Sequence, residues 1–98
     1  MKAITIKSNE VLDEALQTEI HHTFGMEHYT DYVFKPREDQ TYSATLVMED
    51  SSELIHNVKE RSTSFPDHEF VIEVLDTDSN MVKKYYIKEG EFLKITNR

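Results

Sequence analysis

The chain has 98 residues, with 19 Asp and Glu against 11 Lys and Arg, for a formal charge of −8. That length predicts one domain, 1–98, and the acidic balance argues against direct contact with nucleic acid or with an anionic membrane surface. Cysteine is absent, which excludes disulfides, thiolate nucleophiles and cysteine metal sites.

Residues 2–7, KAITIK, place Ile4 and Ile6 on one face, the alternation of a strand. Ser8 or Asn9 then offers a helix cap, with Glu10 in the first turn, where the helix dipole favours an anion. Val11, Leu12, Ala15, Leu16, Ile20 and Phe24 recur at helical spacing, so a helix is predicted over 9–24, stopped by Gly25. His28 to Lys35 reads as a strand with Tyr32 and Phe34 on one face. Pro36 ends it, and a charged turn leads to a second strand over 41–48, with Tyr42, Ala44, Leu46 and Met48 on one side.

Asp50-Ser51-Ser52-Glu53 resembles a capping box and opens a helix over about 51–63, whose buried face is Leu54, Ile55 and Val58. Pro66 forbids its continuation. Strands follow at 69–75, 81–88 and 91–96, separated by Thr77-Asp78-Ser79-Asn80 and by the tight turn Glu89-Gly90. The element order predicts an α+β fold: a ferredoxin-like βαββαβ two-layer sandwich with two extra C-terminal antiparallel strands.

The run Phe65-Pro66-Asp67, a strand, a polar turn and then Lys84-Tyr85-Tyr86-Ile87-Lys88-Glu89-Gly90-Glu91 resembles the C-terminal part of YubB-like ferredoxin-like domains. Those are small domains found on phages and conjugative plasmids. The resemblance covers about a third of the chain. It implies the fold and a mobile-element setting, and it carries no functional residues across.

The motifs of catalysis are missing. His21 and His22 are adjacent on a helix, so their side chains diverge, and His28 lies beyond Gly25. They read as polar residues at a helix C-terminus rather than as ligands, and no metal or other cofactor is expected. Asp67-His68 lacks a nucleophile, Ser62-Thr63-Ser64 form no nucleophile elbow, and two glycines cannot build a phosphate-cradling loop. The first strand lacks the base-stacking aromatics of an RNA-binding sheet. The expectation is a protein that is not an enzyme.

From Ser8 to Phe34 there are six acids and no Lys or Arg. Glu10, Asp13, Glu14 and Gln17 are predicted to share the outer face of the first helix. The candidate partner-binding set is Glu10, Asp13, Glu14, Glu19, Glu27, Tyr29, Asp31 and Tyr32, with the two tyrosines as hot spots. It fits a basic host protein, in the sharpest form a nucleic-acid-binding groove occupied by an inhibitor of the anti-CRISPR type. The alternative is a homodimeric ferredoxin-like sensor or small-ligand module joined through sheet edges. The opening residues lack a signal peptide's apolar run and no segment is long enough to span a membrane, so the expected location is cytoplasmic.

Overall fold

A computed structural model describes residues 1–29 and 33–97. The elements are β1 (Lys2–Leu12), α1 (Glu14–Thr23), a 3₁₀ turn (Met26–His28), β2 (Val33–Phe34), β3 (Gln40–Met48) and α2 (Ser52–Arg61). A second 3₁₀ turn (Ser62–Ser64) follows, then β4 (Phe70–Asp76), β5 (Met81–Lys88) and β6 (Glu91–Asn97). The fold is α+β: one six-stranded sheet in the order β2-β3-β1-β4-β5-β6, antiparallel at every pairing.

Both helices bury their apolar residues against the same face of the sheet. Ile20 and Phe24 of α1 and Leu54, Ile55 and Val58 of α2 join one core. The strands contribute Ile4, Ile6, Tyr42, Ala44, Leu46, Phe70, Ile72, Val74 and Ile87 to it. These are alternate residues along each strand, as a sheet covered on one side requires. Phe24 is the aromatic centre. It meets Phe70 edge-on at 5.0 Å, with Phe65 and Tyr42 edge-on at 6.0 and 6.3 Å.

The first helix starts later than its apolar spacing predicts. Residues 9–12 belong to β1, with Val11 paired to Thr41 and Leu12 to Gln40 beyond a register shift after Lys7. The Ser8 hydroxyl holds that irregularity: it accepts the Tyr42 N–H at 2.9 Å and donates to the Glu10 carbonyl at 2.9 Å. Ser8 is therefore a strand residue, and the cap is Asp13, whose carboxylate accepts the Leu16 N–H at 2.8 Å. Glu10 lies in the strand, and Glu14 takes the first-turn position.

Gly25 follows the helix in the left-handed region, at φ 69°, as the stop requires. The predicted strand over 28–35 is described only as Val33–Phe34. His28 closes a 3₁₀ turn, and residues 30–32 lie outside the described set. The second helix is shorter than 51–63 because its last turn tightens into 3₁₀ geometry. Its start is no capping box: Asp50 accepts the Ser52 N–H at 2.9 Å, and Ser51 makes no side-chain cap bond. The last three strands fall where the alternation puts them, and Glu89 and Gly90 both take positive φ in their turn, at 52° and 78°.

Candidate functional site

Among the described residues, several members of the acidic set have internal roles. Asp13 is the α1 cap. Glu10, near the end of β1, places a carboxylate oxygen 3.5 Å from His68 Nδ1. Glu27, in the first 3₁₀ turn, sits 2.9 Å from His22 Nδ1. Glu14 and Glu19 are exposed and project from α1 beside Ala15, Thr18 and His22. Tyr29 is half-buried and packs on the core, so only part of its ring reaches solvent. Asp31 and Tyr32 lie outside the described residues.

Gln17 does not join that outer face. It is 1 % exposed, and its side-chain nitrogen lies 2.9, 2.7 and 2.9 Å from the carbonyls of Leu12, Arg37 and Gln40. Its amide thus ties the end of β1, the start of α1 and the β2–β3 loop together. His21 is also interior, at 4 % exposed. Its ring stacks on Phe34 with centroids 3.8 Å apart, and Nδ1 lies 3.0 Å from the Tyr42 hydroxyl. Burial lowers its pKa below the ordinary imidazole value, against a smaller upward pull from Glu27. His22, next to it, is exposed. Nothing in residue spacing separates two adjacent histidines. The signal that could have done so is the helical phase: His21 lies one residue after Ile20 and three before Phe24, on the apolar side.

The sheet face away from the helices carries the opposite charge. Across β1, β4 and β5, Glu73 lies between Lys7 at 3.0 Å and Lys84 at 3.5 Å, and these cations, Lys7 first, hold its carboxyl below the usual range. Next to them, Lys94 Nζ stands 4.5 Å from the centroid of Tyr86. Tyr85 points to the other side, as alternation demands, and meets Phe92 at 5.6 Å. From Met81 to Asn97 there are four lysines against two glutamates, in a chain whose net charge is negative.

Between the start of α2 and strands β4 and β5 lies a cleft of about 320 Å³, bordered by Ser52, Ile55, Asp76, Lys83 and Tyr85. It continues toward His56, Lys59 and Phe92. A second cleft joins the helix ends, where the Arg61 guanidinium donates to the Thr23 carbonyl at 3.0 Å beside Gly25 and Tyr29. The Ser62 hydroxyl donates to the Lys59 carbonyl at 2.7 Å and accepts the Gly90 N–H at 2.8 Å, which fastens the β5–β6 turn to the end of α2. Among the described residues no three His, Asp or Glu side chains converge as a metal set, and no helix is long and apolar enough to cross a membrane.

Comparison with protein-family models, with curated proteins and with solved structures finds no match. What the arrangement offers chemically is exposed carboxylates on α1, Glu14 and Glu19, and lysines on the outer sheet face and the β5–β6 hairpin.

Proposed function

We propose that this chain is a non-enzymatic interaction domain of ferredoxin-like topology that docks its acidic α1 side on a basic surface of another protein. The topology is supported by the strand order. The first four strands run β2-β3-β1-β4 with both helices over one face, and β5 and β6 extend the sheet beyond β4. The partner we favour is a host protein whose basic groove binds nucleic acid, with this domain as its inhibitor in a phage or plasmid setting and in the cytoplasm. The C-terminal resemblance supports that setting.

The observation that carries the reading is the exposure of Glu14 and Glu19 on a segment, Ser8 to Phe34, that has six acids and no Lys or Arg. A one-signed face steers a basic partner and makes its capture salt-dependent. The test is charge reversal at these two residues, since Asp13 cannot be reversed without losing the helix cap. Glu14→Lys with Glu19→Lys removes binding to the basic partner and leaves the thermal midpoint nearly unchanged. Unaltered binding contradicts the reading.

The second reading, a homodimeric small-ligand module, is favoured by one observation: the cleft between α2 and strands β4 and β5 reaches Asn97 of β6, the strand at the sheet edge.

A further inference from the structure

The two ends of the sheet are unequal. Among the described residues, β2 offers an edge of only Val33 and Phe34, with Pro36 just beyond. At the other end β6 offers seven residues, Glu91–Asn97, and every one of them is exposed. The strand contains no proline, and Phe92, Leu93 and Ile95 are 37, 54 and 44 % exposed. An edge of that length and apolarity is a template for another strand unless it is guarded. Its one internal cation, Lys94, lies back over the ring of Tyr86 on its own sheet.

We infer that β6 pairs antiparallel with β6 of a second copy, joining two six-stranded sheets into one. The inference rests on the homodimeric reading above and adds the edge and the register; it does not involve the acidic α1 side. The occupant follows from the order of side chains. Pairing with β5 places Glu91, Lys94 and Thr96 on the side of Lys88, Tyr86 and Lys84, and Phe92 and Ile95 on the side of Ile87 and Tyr85, the helix side. Leu93 is the extra residue at the register shift.

A two-fold axis between Leu93 and Lys94 then matches both faces. On the helix side Phe92 stands opposite Ile95 of the second copy, and Ile95 opposite Phe92 of the second copy. On the other side Glu91 stands opposite Thr96 of the second copy and diagonal to Lys94 of the second copy, whose ammonium turns from the Tyr86 ring to meet it. The strand is self-complementary in apolar surface and in charge, as an isologous contact must be. Four apolar side chains close over the axis, next to the cleft that β5 and β6 form with α2.

Sedimentation equilibrium of the full chain over a wide concentration range tests this. The expected result is a monomer–dimer equilibrium. Ile95→Glu abolishes it while the far-UV circular dichroism and thermal midpoint stay close to the parent's. Glu91→Lys and Lys94→Glu each weaken the dimer several-fold, and the double swap Glu91→Lys/Lys94→Glu restores it. The chain lacks cysteine, so a nitroxide on Leu93→Cys is a unique label, and its spectrum broadens by dipolar coupling when the chains pair. That last measurement decides the matter even if Ile95→Glu fails to fold. A monomer at all concentrations overturns the inference. So does a dimer that survives these substitutions with no broadening at position 93. A monomer that still loses a salt-sensitive partner on reversal of Glu14 and Glu19 overturns the pairing and leaves the acidic-face reading standing.

Discussion

Asp13 accepts the Leu16 N–H at 2.8 Å, and that bond decides where α1 begins. Asp13→Ala removes the cap and costs about 1 kcal/mol of stability, readable as a lower urea midpoint at unchanged slope. His21 makes a second residue-scale prediction. It is buried against Phe34, beside the Tyr42 hydroxyl, and burial outweighs the upward pull of Glu27 on its pKa. Burial dominates, so the folded chain binds this proton only below the unfolded value of about 6.5. In that window the unfolded state holds more protons than the folded state. The contribution of His21 is therefore fully present above about pH 6.5 and declines as pH falls toward the lowered folded value, by up to about 1.4 kcal/mol per pH unit. His21→Phe flattens that part of the stability profile, measured by urea unfolding at stepped pH. A profile unchanged by the substitution contradicts the burial argument.

Elements are joined here by single polar groups. Gln17 ties β1, α1 and the β2–β3 loop, so Gln17→Leu strands buried carbonyls and costs about 1–3 kcal/mol. Gly90 ties the β5–β6 turn to α2: it sits at φ 78°, and a β-carbon there would meet Thr63 Cγ2 at 2.7 Å. Gly90→Ala is destabilising by at least about 1–2 kcal/mol, the cost of the left-handed region alone, and shows as a lowered thermal midpoint. These joints also explain which parts of the fold were legible in the sequence. Strict alternation in Tyr42–Met48 and Phe70–Val74, the Gly25 stop and the Glu89-Gly90 turn are local signals, and each element stands where its signal puts it. The β1–α1 boundary is not local. Val11 and Leu12 fit helical spacing and strand alternation equally well, and pairing with Thr41 and Gln40 decides between them. Gln17 was illegible for the same reason. An amide reads as surface until the carbonyls of Leu12 and of distant Arg37 and Gln40 converge on it. Of the candidate site, the sign of the charge was legible, and the division of labour among its carboxylates was not. Asp13, Glu10 and Glu27 have partners that no spacing rule reveals.

At the scale of the whole molecule, exposed Glu14 and Glu19 stand on α1, and lysines stand on the outer sheet face and the C-terminal hairpin. The folded sheet separates these groups, which their order along the chain only suggests. The Lys7–Glu73–Lys84 ladder is mostly a surface feature, and Glu73→Gln shifts stability by no more than about 1 kcal/mol in a salt-sensitive way. Among the described residues Glu14 and Glu19 stand in no ion pair, and they are where a basic partner would be steered. The direct test is affinity capture from a native-host lysate at low and at high salt, run in parallel with the parent chain and with Glu14→Lys/Glu19→Lys. The parent is expected to retain a basic protein at low salt and to release it at high salt, and the charge-reversed chain to retain none of it. The same protein held equally by both chains, or held by the parent regardless of salt, would contradict it.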